Sequence, residues 1–214
     1  LYGDIYAELV NGTLSADYYN KALELDKTSV RAIVSKGRLY KRSTNYEGAA
    51  EEFQRAVQID SSYAPAHREL GEAYFKLGKL EKAKAEYRKY LELSKNNCGA
   101  RIRYASFLYI SKSYSEALSE LASVAQRCDS NNLTMLRIQS YSYYEEKNYE
   151  QALGAIEHLF RIVPMEKRLD KDFEYYGKTL IALNKDSLGI DQLQKAFAID
   201  PTRVDLLSEI AGAW

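Results

Sequence analysis

Cysteine, histidine, proline and tryptophan are all scarce in this chain of 214 residues, which holds two, two, three and one of them. Two cysteines cannot build a disulfide-rich scaffold or a four-cysteine zinc site. His67 and His158 leave little material for histidine-based catalysis. Three prolines and 11 glycines are too few for a long low-complexity segment. No run of 18 apolar residues occurs, so no membrane-spanning helix is predicted. No basic stretch followed by an apolar one opens the chain at Leu1, so no signal peptide is visible. Charge of one sign is lacking as well: Lys+Arg and Asp+Glu stand at 30 each, which gives no bulk attraction for nucleic acid or an acidic membrane. No phosphate-binding glycine loop, His-Glu-x-x-His or Gly-x-Ser-x-Gly is present. Carboxylate neighbours such as Glu51-Glu52 and Glu145-Glu146 point apart on a helix. The expectation is therefore a non-catalytic protein, with no catalytic residues, no metal site and no cofactor.

What the chain does have is 46% hydrophobic residues, 28% charged residues and 19 tyrosines. It also has an internal period. Ala22–Asp26, Ala56–Asp60 and Ala196–Asp200 resemble one another, and Asp26 and Asp60 lie 34 residues apart. Asp60 and Asp200 are separated by 140 residues, four such periods plus four extra residues. One extra residue is placed at Asp129–Asn132 and three at Lys167–Leu169, both read as loops. With Val30, Ala64, Cys98, Leu133 and Asp170 as position 1, position 8 holds Gly3, Gly37, Gly71, Ala105, Ser140, Gly177 and Ala211. Position 20 holds Ser15, Ala49, Ala83, Ala117, Ala152 and Gly189, again all small. Position 11 holds Tyr6, Tyr40, Tyr74, Leu108, Tyr143, Leu180 and Trp214, and position 24 holds Tyr19, Phe53, Tyr87, Leu121, Ile156 and Leu193.

This sorting of small and large residues resembles the tetratricopeptide repeat (TPR) family, whose units of about 34 residues are helix–turn–helix pairs. The resemblance covers the whole chain and is best in Ala64–Asn97, with Leu70-Gly71, Tyr74, Gly78, Ala83 and Tyr87. Departures occur at position 27, where Tyr90, Val124 and Leu159 replace alanine, and in the proline near position 32, present only as Pro164 and Pro201. The resemblance implies an all-α right-handed superhelical solenoid. Its units are 1–29 (truncated), 30–63, 64–97, 98–131, 133–166 and 170–203, with 204–214 beginning a further helix. Gly3 already sits at position 8 and Trp214 at position 11, so the array is expected to continue in both directions. Stacking of neighbours supplies the core that one unit cannot bury alone.

In that family the first helices line a concave groove through positions 2, 5, 9, 12 and 13. Carried over, this implies a peptide- or helix-binding groove at Arg38, Arg68, Phe75, Tyr109, Arg137, Tyr141 and Tyr144, with Arg31 and Arg42 adding positive charge. Aromatic rings offer contact area at small entropic cost, and arginine forks onto carboxylates. The implied partner is a protein or peptide with acidic and aromatic or apolar residues. The competing reading is that the tyrosines pack between first helices and the arginines pair with Glu72 or Glu174. Chaperone-tail clamps of the family need Lys at position 5 and Asn at position 9, whereas Val34 and Arg38, or Arg68 and Glu72, stand there. Position 6 reads Ser35, Glu69, Arg103, Ile138 and Tyr175, not an asparagine ladder.

Two further roles stay open: a structural spacer or module self-associating through its end helices, and the regulatory array of a larger enzyme or transport assembly. Cys98 and Cys128 take positions 1 and 31 of one unit, at the same end of an antiparallel pair. Two independent thiols are expected there, since a disulfide demands a Cα separation within about 7 Å. A bond would instead favour an oxidising compartment such as a bacterial periplasm or envelope over the cytoplasm.

Overall fold

A computed structural model describes residues 12–95, 97–125 and 131–213. Gly3, Tyr6, Cys128 and Trp214 lie outside the described residues. Among the described residues there are twelve α-helices and no strand. The chain divides into two compact units, residues 1–100 and 101–214.

The first unit contains α1 (Gly12–Leu25), α2 (Val30–Arg42), α3 (Tyr46–Ile59), α4 (Ala64–Lys76) and α5 (Leu80–Leu93). Each packs on the next through α5, and the two first helices α2 and α4 also touch. The core between them holds Ile33, Phe53 and Leu70, with Tyr74 and Tyr87 at its margin.

The second unit takes most of α6 (Cys98–Ile110), then α7 (Tyr114–Val124), α8 (Leu133–Glu145), α9 (Tyr149–Ile162), α10 (Asp170–Ala182), α11 (Asp186–Ile199) and α12 (Asp205–Gly212). Here α7 packs on α8, every later helix packs on its successor, and the first helices α8 and α10 meet directly. One cluster gathers Leu136, Tyr141, Ile156, Leu159, Val163 and Tyr175. A second gathers Phe173, Leu193, Ala196 and Leu206.

The turn inside each helix pair is made by one residue in the left-handed region, at position 15 of the register. These are Thr44 (φ 60°), Gly78 (71°), Lys112 (60°), Lys147 (61°) and Asn184 (59°). The following residue donates its N–H back to the carbonyl of position 11. The distances are 3.0 Å for Asn45 to Tyr40, 2.8 Å for Lys79 to Tyr74 and 2.8 Å for Ser113 to Leu108. Asn148 to Tyr143 and Lys185 to Leu180 are both 2.9 Å. This six-to-one bond satisfies a carbonyl that the helix end leaves open. Gly78 adopts that conformation without a Cβ penalty, while β-branched Thr44 carries it at about 1–2 kcal/mol.

The aspartates that mark the period have a local task at the ends of the second helices. Asp26, Asp60 and Asp200 accept the backbone N–H of Thr28, Ser62 and Thr202 at 2.9, 2.8 and 3.0 Å. The same carboxylates accept the hydroxyls of those residues. Each arrangement is an Asx turn that stops one pair and launches the next. The insertion near 167 is more ordered than a plain loop, because Met165–Lys167 forms a 3-10 turn. Arg168 closes it, donating to the carbonyls of Val163 (3.1 Å) and Phe160 (2.7 Å) while its guanidinium lies 4.5 Å from the centre of the Phe160 ring.

Cys98 is disulfide-bonded, against the expectation of two independent thiols. His67 is buried, its ring nitrogens 2.7 Å from a Glu86 carboxylate oxygen and 3.0 Å from the Ser61 carbonyl.

The helix pairs close through their small residues. A Cβ on Gly177 would lie 2.7 Å from Leu193 and 2.8 Å from the Gly189 carbonyl oxygen, and one on Gly189 would lie 2.8 Å from the Gly177 carbonyl oxygen. Gly177→Ala should therefore cost about 1–3 kcal/mol in urea unfolding, although alanine is the better helix former. Gly154→Ala is the control: a Cβ there meets nothing within 4 Å, so it should gain about 0.5–1 kcal/mol. Equal stability of Gly177→Ala and the parent chain would remove close approach as the constraint on this pair.

Candidate functional site

In the first unit the exposed edge of the first helices is organised around one carboxylate. Glu69 on α4 is 2% exposed. Arg38 Nε on α2 lies 2.9 Å from Glu69 Oε1, and Arg68 Nη2 lies 2.7 Å from the same oxygen. Lys41 Nζ bonds Glu69 Oε2 and also reaches Glu72 at 2.6 Å. Burial by itself would raise the Glu69 carboxyl, but the hydrogen bond and charge of Lys41, then Arg68 and Arg38, hold it down at about 2. Burial lowers Lys41, and the two carboxylates more than reverse that, so it is raised. Three cations thus face two carboxylates, leaving a positive surplus on this face. Arg38 keeps 41% of its side chain exposed. Arg68 Nε is a buried N–H without a hydrogen-bond partner among the described residues. Phe75 is half-buried near the end of α4.

In the second unit the corresponding face is aromatic. Arg137 on α8 forks onto Asp172 at the start of α10, with Nε to Oδ1 at 2.8 Å and Nη2 to Oδ2 at 2.8 Å. Asp172 is fully buried. It also accepts the Tyr141 hydroxyl and the Leu169 backbone N–H (2.9 Å), the latter capping α10. Tyr141 stacks on Tyr175 with ring centres 4.3 Å apart and planes 17° apart. Tyr144 meets the edge of Tyr175 at 5.4 Å, and Tyr109 lies 6.1 Å from Tyr141. The Tyr175 hydroxyl donates to Glu145 at 2.5 Å and sits 3.2 Å from the Tyr109 hydroxyl. Since the Tyr175 hydrogen is spent on Glu145, Tyr109 is the donor in that second contact. Burial, then Asp172, raises Tyr141; burial, then the bonds to Glu145 and Tyr109, raises Tyr175. Both phenols stay protonated, as the hydrogen-bond chain needs. The Lys171 ammonium lies over three of these rings, 5.2 Å from the centre of Tyr109, 5.8 Å from Tyr141 and 5.7 Å from Tyr175.

Six of the seven residues expected to line a groove therefore fall into two sets, and Phe75 belongs to neither. Arg38 and Arg68 meet at Glu69. Tyr109, Arg137, Tyr141 and Tyr144 meet around Asp172 and Tyr175. Both arginine sets are engaged with carboxylates of the chain itself, through Glu69 and Asp172 rather than the Glu174 considered from sequence. The hub carboxylates were not anticipated. Asp172 holds position 3, where the family pattern carries no signal. Lys171 and Glu145 could have been found, because they hold positions 2 and 13, both groove positions of the pattern. Among the described residues no group of three or more His, Cys, Asp and Glu could hold a metal ion, and no helix is long and apolar enough to cross a membrane.

Two outcomes follow from the charge geometry. Glu69 is held at about 2 against an ordinary 4.5, so its stabilising share is complete above pH 4.5 and lost as pH falls through about 2. Glu69→Gln should cost on the order of 3 kcal/mol near neutral pH, and urea unfolding should show the gap to the parent chain shrinking as the solution is acidified across that window. A gap that stays constant with pH contradicts the assignment. Arg137→Ala leaves Asp172 buried and underpaired and should cost about 3–5 kcal/mol in the same assay, with a loss below 1 kcal/mol counting against the staple.

Two repeat models match the sequence, "TPR repeat" over residues 37–78 and "Tetratricopeptide repeat" over residues 64–97. No curated protein sequence matches it. Among solved structures, YrrB, described as a TPR protein with an unusual peptide-binding site, is similar with a TM-score of 0.69 and 20% identity over 91% of this chain and 98% of that chain. The C-terminal part of a TPR repeat-containing protein from Cytophaga hutchinsonii is similar with a TM-score of 0.74 and 14% identity over 99% of this chain and 83% of that one. A tetratricopeptide repeat protein from Parabacteroides merdae gives 0.66 and 15%, covering 99% and 81%. At such identities the likeness speaks to fold. Residues 37–97 carry matched tetratricopeptide repeats, and with the paired helices and the small residues between them the described residues have the TPR solenoid fold.

Proposed function

We propose that the chain is a non-catalytic protein-interaction scaffold that holds a peptide or helical segment of a partner against the first-helix faces of its units. The observation that carries this reading is the chemistry of those faces. A surplus of cations around Glu69 and Glu72 marks the first unit, and a tyrosine cluster with a lysine over it marks the second. Tyrosine and arginine are the residue types that most often anchor interfaces. The partner segment on the first unit is acidic by charge complementarity. The likeness to YrrB, a peptide-binding TPR protein by its description, is consistent with such a role. The six-unit register from 1–29 to 170–203 is part of this proposal. The bonded Cys98 favours an oxidising compartment.

Self-association is the second reading, motivated by the apolar residues exposed beside and along α12: Val204 at 66% and Leu207 at 46%.

The test is a comparison of partners captured by the parent chain and by Tyr109→Ala/Tyr144→Ala, chosen because neither residue carries the Asp172 staple. A partner bound by the parent should lose about tenfold to a hundredfold in affinity for the double variant, with the helical circular dichroism unchanged. Equal affinity moves the function away from these faces, and a mass that grows with concentration selects self-association.

A further inference from the structure

The connection between α9 and α10 is longer than its counterpart in the first unit. It takes seven residues, 163–169, where α3 and α4 are joined by four, 60–63. The same two helices line a cavity of about 340 Å³, with Glu157, Phe160 and Arg161 on α9 and Tyr176 on α10. In the register these residues hold positions 25, 28, 29 and 7, none of them a groove position of the repeat. Glu157, Phe160 and Arg161 are spaced i, i+3 and i+4, which puts them on one face of α9. The Phe160 ring meets the Tyr176 ring edge to face, with centres 4.9 Å apart, and meets the buried Phe173 in the same manner at 5.2 Å. Glu157 four residues before Arg161 is the order that pairs best on a helix. Yet neither has an ion-pair or hydrogen-bond partner among the described residues, and both are exposed. The charge of Glu157 is felt at Tyr176, whose phenol is raised by burial and then by that carboxylate. An aromatic wall thus stands between an unpaired carboxylate and an unpaired guanidinium. The volume is at the small end of ligand pockets, the size for one side chain rather than a large cofactor. A group that answers the whole set is flat and apolar, donates to a carboxylate and offers a ring face to a cation. Phenylalanine has no donor. Tyrosine has one, but its ring face is the weaker acceptor of a cation. Indole has an N–H that only donates and the ring face that holds a guanidinium best.

We propose that the cavity between α9 and α10 is a docking subsite for a tryptophan side chain of a partner protein. The indole lies against Phe160 and Tyr176, donates its N–H to Glu157 and presents a ring face to the Arg161 guanidinium. The subsite goes beyond the groove reading and does not depend on it, because none of its four residues belongs to the Glu69 or Asp172 sets.

The experiment titrates the isotope-labelled whole chain with N-acetyltryptophanamide, which stands for a tryptophan within a chain, and follows the backbone amides by NMR. Parallel titrations use the N-methylated indole analogue, N-acetylphenylalaninamide and free tryptophan. The expected result is binding of roughly millimolar strength, as suits one side chain, with shifts centred on the amides of Glu157, Phe160, Arg161 and Tyr176. Methylation of the indole nitrogen and Glu157→Ala each weaken binding about threefold to tenfold, the worth of one hydrogen bond, and together they cost no more than either alone. Arg161→Ala weakens it about twofold to fivefold. Both substitutions change exposed side chains, and an unchanged helical circular dichroism establishes that the fold is kept. No shift at these amides overturns the cavity as a site. Shifts that phenylalaninamide produces as readily as the indole, or an affinity indifferent to N-methylation and to Glu157→Ala, overturn the indole assignment. Tighter binding of free tryptophan than of its capped amide overturns the assignment to a partner's side chain. Each of these failures leaves the groove reading standing, since its own test lies at Tyr109 and Tyr144.

Discussion

Gly177 and Gly189 bring α10 and α11 so close that the carbonyl oxygen of each lies 2.8 Å from where the other's Cβ would be. Gly37 and Gly71 play the same part in the first unit, where a Cβ would run into the rings of Phe53 and Tyr87. Small residues at positions 8 and 20 thus decide how near the helices of a pair can lie. That distance decides which large residues of the next pair reach the gap. The cores around Ile156 and Leu159, and around Phe173 and Leu193, follow from it. So does the face on which first helices meet, because only closely paired helices leave their outer edges side by side.

That face joins successive first helices. Arg137, Asp172 and Tyr141 join α8 to α10, and Arg38, Lys41 and Glu69 join α2 to α4. These bonds hold successive first helices in register where neighbouring pairs must stack, and they also set the charge that this face presents. The cost of burying Asp172 is offset by a forked arginine, a phenol and a backbone N–H, a nearly complete set of partners for one carboxylate. Where such a hub takes up most of the available charge, what remains on the face is the surplus cation around Glu69 and the lysine on the tyrosine rings.

Tyrosine abundance, the oddest feature of the composition, has a structural answer in the second unit. A phenol can be buried by its ring and still satisfy a carboxylate with its hydroxyl. Tyr141 and Tyr175 do both, stacked on one another while bonding Asp172 and Glu145. A phenylalanine in either place would keep the stack and leave a carboxylate short of a donor.

The sequence by itself determined the all-helical character, the period and the pairing. Residue size at positions 8, 11, 20 and 24 is a local property, and it repeats often enough to be read without coordinates. The aspartates at 26, 60 and 200 were legible as a repeat mark for the same reason, although their Asx turns were not foreseen. The tertiary structure alone decided what the groove residues touch. Arg137 and Asp172 lie 35 residues apart and Tyr109 and Tyr175 lie 66 apart. Such contacts depend on helix rotation and on the left-handed turn residues, to which a period in residue size is blind. The bonded state of Cys98 and the placement of Lys171 over three rings belong to the same class. Each is a distance between side chains, and the fold sets that distance through packing rather than through spacing along the chain.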